Sequence, residues 1–238
     1  MRVCVAGGRD RAGKTTVAVN IAVALGMRGL PICLVDCNVE NPAVHLLMNP
    51  AWEVMRDVVV PAPDCTPRRI GEICRGVRSG IAIVQGRLTP GQAAPSLLIR
   101  QIKESSWTGD ATVLDCPGGV SEPAVESVKG CQFCILVIEA TPSGLNDLTN
   151  ALEMLRPLGM PYGVVVNRYD LGTREPLDYC QAKGLPVLMC IPDSDKVAEL
   201  HARGIAISSV SREWQRRFGE LWDRSVRTAR KLLSDQGP

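Results

Sequence analysis

The sequence predicts an α/β fold in which a doubly wound, mostly parallel sheet is flanked by helices. Short apolar runs alternate with helical patterns over most of the 238 residues, which is typical of a parallel sheet covered on both faces. Glycines stand where three predicted helices end, each shortly before a proline at the next strand: Gly29, Gly159 and Gly184. No internal repeat or low-complexity linker interrupts the alternation, so we expect residues 1–238 to form a single domain.

The predicted elements follow these patterns in chain order. Strands are expected near Val3–Ala6, Pro31–Asp36, Ile81–Gln85, Thr112–Asp115, Phe133–Glu139, Gly163–Asn167 and Val187–Ile191. Helices are expected at Thr15–Met27, Gln92–Glu104, Pro123–Val128, Gly144–Leu155, Arg174–Lys183, Asp195–Arg203 and Arg212–Leu233. The least regular stretch, residues 49–78, contains Pro50, Pro61, Pro63 and Pro67, and we expect it to be an irregular excursion at one end of the sheet.

The composition indicates a cytoplasmic protein. No apolar run reaches the length of a membrane span, and the chain starts with a core strand rather than a signal peptide. The ten cysteines are therefore expected to be reduced thiols or metal ligands. The formal net charge is only +2 and the basic residues are scattered, so there is no firm nucleic-acid signal.

A loop near the start of the chain has the clearest functional signal. The sequence Gly8-Arg9-Asp10-Arg11-Ala12-Gly13-Lys14-Thr15-Thr16 follows a short apolar strand and opens a helical stretch, as the phosphate-binding P-loop requires. Its glycines let backbone N–H groups point at phosphate oxygens, and the helix N-terminus adds favourable partial charge. Lys14 can reach the β- and γ-phosphates, and the Thr15 hydroxyl can ligate Mg²⁺. We therefore expect residues 8–16 to bind a nucleotide.

Two acidic residues, Asp36 and Asp115, each end a predicted strand. In a doubly wound sheet, carboxylates at the C-terminal ends of strands beside the P-loop strand face the ligand crevice. Asp115 is the expected Walker-B-type acid that holds a Mg²⁺-bound water, and Gly118 and Gly119 can flex beside it. The predicted metal residues are therefore Thr15, Asp115 and Asp36, partly through water.

Besides the P-loop, five further segments resemble those of a known protein family: Asp36–Leu46, Glu122–Gly130, Glu139–Leu148, Val164–Gly172 and Ile191–Asp193. Through them the chain resembles the MinD/ParA/Mrp group of deviant P-loop ATPases, which includes the nitrogenase iron protein. It is most similar to MinD-like ATPases with an inserted ferredoxin domain. The resemblance runs from Met1 to about Gly204 and implies ATP and Mg²⁺ as cofactors, with ATP sandwiched between two subunits. It also implies adenine recognition around Asn167, Arg168, Pro192 and Asp193.

The P-loop departs from the family pattern. The family's loop reads Lys-Gly-Gly-x-Gly-Lys-Thr, and the first lysine reaches the phosphates of the partner subunit. Arg9 stands at that position here; it keeps the charge, but its side chain is longer and forked. An arginine acting in trans accelerates GTPases by about 10³–10⁵-fold. Asp10 and Arg11 replace glycines, and their side chains either point to solvent or bring a carboxylate close to the triphosphate.

The segment after the second strand departs as well. The family usually has Asp-x-Asp there, with the second acid orienting the attacking water, but this chain has Asn38. An amide can hydrogen-bond water but cannot accept its proton. The predicted catalytic residues are Lys14, Asp36, Asn38 and Arg9, and we expect Mg-ATP binding with low intrinsic turnover.

The ferredoxin insert is missing. Relatives that have it place two cysteine-rich motifs between the segments that match Val58–Asp64 and Ile70–Glu72, where this chain has only Cys65. An iron–sulfur cluster normally needs four thiolates, so we expect none in this chain.

Four other cysteines have suggestive positions. Cys131 and Cys134 have metal-ligand spacing, but we expect Cys134 to point into the core as a small apolar side chain. Cys37 and Cys116 directly follow the strand-end acids. Two subunits could bring their four thiols together around a bridging cluster, although the motif positions differ from those of the nitrogenase iron protein.

The final helix, at about 211–233, is amphipathic and basic. Its apolar residues recur at three- and four-residue spacing: Trp214, Phe218, Leu221, Trp222, Ala229 and Leu232. Such a helix can lie on a membrane surface. We expect it instead to pack on the sheet with its arginines solvated.

Three function classes fit the sequence. The first is an ATP-dependent switch of the MinD type, a homodimer or a heterodimer with a related ATPase, acting with a redox or iron–sulfur partner protein. The second is a non-hydrolysing nucleotide-binding scaffold or partner subunit of a ferredoxin-bearing paralogue. The third is a ligase of the dethiobiotin or cobyrinate synthetase type, against which the segments Glu122–Gly130 and Thr141–Leu148 argue.

Overall fold

A computed structural model describes residues 1–61, 66–106 and 109–234, so Cys65 lies outside the described residues. The strands are β1 (Arg2–Ala6), β2 (Ile32–Asp36), β3 (Ala51–Pro61), β4 (Pro67–Arg78), β5 (Ile81–Leu88), β6 (Ala111–Asp115), β7 (Phe133–Glu139), β8 (Tyr162–Asn167) and β9 (Val187–Ile191). The helices are α1 (Lys14–Gly26), α2 (Val44–Met48), α3 (Pro95–Ser105), α4 (Glu122–Val128), α5 (Pro142–Leu155), α6 (Glu175–Ala182), α7 (Asp195–Ala202) and α8 (Arg212–Ser234).

The strands form one sheet in the order β3-β4-β5-β2-β6-β1-β7-β8-β9. The seven strands from β5 to β9 in this order pair in parallel. Apolar layers cover both faces: α1, α7 and α8 contribute to one, and α3 to α6 contribute to the other. The predicted doubly wound sheet is confirmed. Its parallel strands all end at the same edge, which places the P-loop beside Asp36 and Asp115.

The stretch expected to be irregular, residues 49–78, is instead largely regular. Strands β3 and β4 pair antiparallel and extend the sheet beyond β5. Pro61 and Pro67 face each other at the end of the hairpin where β3 connects to β4. Proline is tolerated on an edge strand and at the first residue of a strand, since no ladder N–H is required there. The prolines that favoured an irregular segment therefore mark the ends of two strands.

Helix α8 packs on the sheet and on α1, which agrees with the expected packing role. Its inner face buries Phe218, Leu221, Trp222 and Ala229. Two of its arginines were expected to be solvated but instead bond to the sheet: Arg217 donates to the Cys190 carbonyl at 2.9 Å and Arg224 to the Leu188 carbonyl at 2.8 Å. The face that a membrane would contact is thus occupied. In the described part of the chain, no helix is long and apolar enough to span a membrane.

Candidate nucleotide-binding site

The P-loop connects β1 to α1 and is built around close backbone contacts. A side chain at Gly7 would collide with the carbonyl oxygen of Val137 on β7. Gly13 has φ of +100°, and a Cβ there would lie 2.5 Å from Nδ2 of Asn167. Glycine adopts this left-handed conformation without steric penalty. The loop therefore presents the first turn of α1, with its unpaired backbone N–H groups, to the edge of the sheet.

Lys14 is folded back onto its own loop. Its ammonium group donates to the Arg9 carbonyl at 2.6 Å and lies 3.8 Å from Oδ1 of Asp10. Burial lowers the pKa of Lys14, while the nearby carboxylates of Asp115 and Asp10 act in the opposite direction. The Lys14 side chain is only 6% exposed. The Lys14 ammonium group can therefore contact an anion at the start of α1 once it gives up its hydrogen bond to the Arg9 carbonyl.

Thr15 and Asp115 meet at the end of β6. The Thr15 hydroxyl donates to Oδ2 of Asp115 at 2.5 Å. The other carboxylate oxygen, Oδ1, is buried and has no hydrogen-bond partner among the described residues. Burial raises the pKa of Asp115 to about 8, with a further contribution from the negative charge of Asp36. A hydroxyl beside a carboxylate with one unpaired oxygen is a hard-oxygen donor set that fits Mg²⁺, which takes one or two carboxylates plus phosphate oxygens.

The carboxylate of Asp36 accepts hydrogen bonds from the backbone of the following loop. Its Oδ1 accepts from the Asn38 amide at 3.0 Å. Its Oδ2 accepts from the amides of Ala43 and Val44 at 2.9 and 3.0 Å. Burial raises the pKa of Asp36 to about 6, and these three hydrogen bonds oppose the rise. This geometry favours a positioning role for Asp36 over the catalytic and metal-linked role expected from the sequence.

A cavity of about 760 Å³ opens beside the P-loop. Its walls include most predicted nucleotide-binding residues, namely Asp10, Arg11, Gly13, Lys14, Thr15, Thr16, Asn167, Arg168, Pro192 and Asp193, together with Asn38. Gly8, Arg9 and Ala12 are not in the wall. The volume lies within the range of about 300–1,000 Å³ that is typical of ligand pockets. The structure therefore brings the two ends of the predicted site, the P-loop and the ends of β8 and β9, around one space.

The far end of the cavity was not predicted from the sequence. It is lined by Val197, Ala198 and His201 of α7 and by Trp214 and Phe218 of α8. The rings of Trp214 and Phe218 stack at 5.8 Å, and the Arg217 guanidinium lies 4.3 Å from the centre of the Trp214 ring. The apolar spacing of α8 was the available signal, but it indicated only a packed or membrane-bound face. Long-range packing determines which of these residues reach the cavity.

Arg9 extends away from the cavity toward β7 and α5. Its guanidinium lies 3.1 Å from the carboxylate of Glu139 and 3.0 Å from that of Asp147, and it also donates to the Thr141 hydroxyl. Glu139 bonds in addition to Arg168 at 2.8 Å. In this structure Arg9 is therefore an intramolecular ion-pair partner, and the sequence reasoning did not identify these acids.

A model of the CobQ/CobB/MinD/ParA nucleotide binding domain matches residues 3–207. The chain belongs to this family. An iron–sulfur cluster carrier protein of Aquifex aeolicus is 26% identical over 244 residues, covering 91% of this chain and 64% of that protein. An ATP-binding protein of Methanocaldococcus jannaschii is 24% identical, and the matched region covers 85% of this chain and 78% of that protein. The septum site-determining protein MinD of Bacillus subtilis is 22% identical, with 88% and 83% covered.

Solved structures of other proteins share the fold. MinD of Pyrococcus horikoshii, in complex with Mg-ADP, superposes with a TM-score of 0.69 at 22% identity, covering 92% of this chain and 93% of that one. A variant of McdA from Cyanothece, in complex with ATP, superposes with a TM-score of 0.68 at 16% identity, covering 93% and 95%. The resemblance to the MinD and ParA group is therefore confirmed.

The cysteines of this CobQ/CobB/MinD/ParA domain lie mainly inside the sheet layers. Cys37 and Cys116 are 0% and 1% exposed and belong to the apolar layer under α3 to α6. Both thiols therefore face the core of this chain. Cys134 is also fully buried, as expected. Among the described residues, no group of three or more His, Cys, Asp or Glu side chains is arranged to hold a metal ion.

Proposed function

We propose that the chain binds Mg-ATP and hydrolyses it slowly, as a two-subunit switch. One observation carries this proposal: Asp115 keeps one buried oxygen without a partner beside the Thr15 hydroxyl, at the start of α1 and next to a cavity of about 760 Å³. A buried carboxylate oxygen without a partner is costly, so its retention at this place has a functional explanation. Family membership agrees with nucleotide binding in general.

The residues of the chain divide the work of nucleotide binding. The backbone N–H groups at the start of α1 and the ammonium group of Lys14 hold the phosphates, which requires Lys14 to exchange the Arg9 carbonyl for phosphate oxygens. Asp10 lies close to Lys14 and weakens the positive field at this point. The ends of β8 and β9, with Asn167 and Pro192, surround the base.

The site also fits a magnesium ion. Thr15 and Asp115 would hold the ion, which supplies charge neutralisation on the β- and γ-phosphates. The Thr15 hydroxyl would keep its hydrogen bond to Asp115 while an oxygen lone pair faces the ion. The unpaired oxygen of Asp115 would hold the ion directly or through a water.

Slow turnover follows from the residues near the phosphates. Asn38 lines the cavity at the place where the family has a second acid, and an amide cannot accept a proton from water. Asp36 cannot replace that acid without breaking bonds, since both its oxygens accept backbone N–H groups. Low turnover also fits the second candidate function, a non-hydrolysing scaffold, which Asn38 and Asp10 favour.

The proposed assembly is a homodimer or a heterodimer with a related ATPase, and Arg9 is the residue that would cross to the second subunit. A redox or iron–sulfur protein is the proposed partner, and this proposal is supported by the iron–sulfur cluster carrier proteins among the relatives of the chain. A cytoplasmic location is also proposed, because no apolar run of the sequence reaches the length of a membrane span.

One preparation of the purified chain tests the function. ATP binding is titrated with Mg²⁺ present, and phosphate release is measured under the same conditions. The proposal expects saturable binding with slow phosphate release. Binding without any release would establish the scaffold function instead, and rapid release by the chain alone would contradict the slow switch.

A further inference from the structure

The carboxylate of Asp10 lies between the P-loop lysine and the turn that follows β6. Its Oδ1 atom is 3.8 Å from the ammonium nitrogen of Lys14. On its other side the carboxylate rests against the backbone of Gly118, because a Cβ added at Gly118 would lie only 2.4 Å from Oδ1 of Asp10. Asp10 also lines the cavity beside the P-loop. The position of this negative charge is therefore fixed by contacts on two sides.

The terminal phosphate of a triphosphate would need the same space. In P-loop proteins the lysine contacts the β- and γ-phosphates, and the magnesium ion bridges them. Lys14 stands at one side of this space, and Thr15 and Asp115, the proposed magnesium residues, stand at the other. The inference therefore rests on the proposed nucleotide binding. The Asp10 carboxylate and a terminal phosphate are two anions that compete for one cation, Lys14.

No second cation neutralises Asp10. Lys14 is its one ion-pair partner in the part of the chain that the structure describes. The guanidinium of the neighbouring Arg9 pairs instead with Glu139 and Asp147. The Lys14 ammonium group also donates to the Arg9 carbonyl at 2.6 Å. A further anion at this point would therefore be repelled by a carboxylate whose only counter-charge it also requires.

Asp10 can nevertheless give way. Its side chain is 73% exposed, whereas that of Lys14 is 6% exposed. An ion pair with one exposed partner contributes little to stability, so turning the carboxylate toward solvent costs little in itself. What remains after this movement is the repulsion between the carboxylate and the added phosphate. Asp10 should therefore weaken the binding of a third phosphate without blocking the site.

We propose that Asp10 makes the site prefer a nucleoside diphosphate to a nucleoside triphosphate. The phosphates of a diphosphate bind the N–H groups at the start of α1 and Lys14 while the Asp10 carboxylate stays beside Gly118. A γ-phosphate adds negative charge where that carboxylate lies, so ATP binds only after Asp10 has moved. The ADP-bound chain is thus the favoured state of the switch, and a partner that binds the ATP form has to offset this preference.

Titration of the full chain with Mg-ADP and with the magnesium complex of a nonhydrolysable ATP analogue tests this preference. We expect the wild type to bind ADP more tightly than the analogue. Asp10→Asn keeps the shape of the side chain and removes its charge, so it should tighten binding of the analogue roughly tenfold and that of ADP less than about threefold. Asp195→Asn removes the same charge from an exposed position on α7 outside the cavity wall, and it should change neither affinity.

The outcomes separate the preference from nucleotide binding itself. Tighter binding of the analogue by the wild type, or an equal change or none for the two nucleotides in Asp10→Asn, would overturn the preference and leave nucleotide binding in place. If neither nucleotide binds saturably to the wild type or to Asp10→Asn, the proposed function fails and the preference fails with it. The substitution is at an exposed side chain, so the variant is expected to fold, and circular dichroism checks this before the titrations.

Discussion

Arg9 of the P-loop forms a salt bridge with Asp147 of α5, with 3.0 Å between Nε and Oδ2. Glu139 at the end of β7 holds the same guanidinium at 3.1 Å. These contacts keep within one subunit a cation that, by resemblance to the family, would act on the phosphates of a second subunit. In the proposed switch, Arg9 must therefore leave its intramolecular partners before the dimer closes.

Releasing Arg9 should favour the dimer. Asp147→Asn removes one of the two ion pairs, and because the Arg9 side chain is 36% exposed, the pair is worth at most about 1 kcal/mol. We expect the dimer dissociation constant with a nonhydrolysable ATP analogue to fall by up to roughly fivefold, measured by sedimentation velocity. Asp178→Asn, which removes an exposed ion pair with Arg174 on α6, is the control. An unchanged or weaker dimer in Asp147→Asn would contradict the intramolecular restraint.

The free energy of unfolding of the nucleotide-free protein should fall with rising pH because of Asp115. Its pKa is raised from the ordinary 3.8 to about 8, so the folded state binds a proton that the unfolded state has already lost between these values. The contribution to stability is therefore full below about pH 4 and falls as the pH rises toward 8. We expect Asp115→Asn to flatten this fall and to raise the free energy of unfolding at pH 8 by a few kcal/mol, since one pKa unit corresponds to about 1.4 kcal/mol.

Urea unfolding at several pH values measures this effect. The pKa of Asp36 is also raised, to about 6. The free energy of unfolding of the Asp115→Asn variant should therefore still fall with rising pH below pH 6, but less steeply than that of the wild type. Asp110→Asn, at an exposed carboxylate before β6, is the control and should keep the full slope. Equal pH profiles for the wild type and Asp115→Asn would show that this carboxylate is not the buried titrating group.

Restoring an acid at position 38 should accelerate hydrolysis. Asn38→Asp adds a carboxylate that can accept a proton from the attacking water, and general base catalysis contributes about 10²–10⁴-fold in favourable cases. We expect at least a roughly tenfold rise in turnover, the lower limit reflecting imperfect placement. Asn41→Asp adds the same charge elsewhere in the cavity wall and serves as the matched control. Equal rates for the two variants would exclude position 38 as the cause of slow turnover.

Helix α8 should behave as part of the core. Trp222 is 7% exposed, and Trp222→Ala is expected to lower the free energy of unfolding by about 3–5 kcal/mol. The control Arg216→Ala, at a side chain 72% exposed, should change it by no more than about 0.5 kcal/mol. Co-sedimentation of the wild type with anionic liposomes would contradict the packed position of α8.

The parallel part of the fold was predictable because each strand is a short apolar run between helical patterns. The seven predicted strands all form, as does the strand–loop–helix unit around Gly13 and Lys14. Local sequence determines these features, since buried parallel strands need apolar residues throughout. The hairpin of β3 and β4 was missed because its prolines, which stand at strand ends, also fit irregular structure.

The partners of individual side chains were less predictable. Arg9 and Asp147 are far apart in the sequence, and only the packing of α5 beside the P-loop brings them together. Asp36 was expected at the metal because it ends a strand, but the following loop turns back and places three amides on its carboxylate. Such contacts depend on tertiary packing that no short pattern specifies.

Titration of Mg-ATP into the wild type and Lys14→Ala tests the central claim most directly. Lys14 is the buried cation at the start of α1, and Lys183→Ala, at an exposed lysine after α6, is the control for charge. The account predicts one saturable site per chain in the wild type and in Lys183→Ala, with affinity lost in Lys14→Ala. Absence of saturable binding to the wild type at millimolar Mg-ATP, or equal binding by Lys14→Ala, would contradict it.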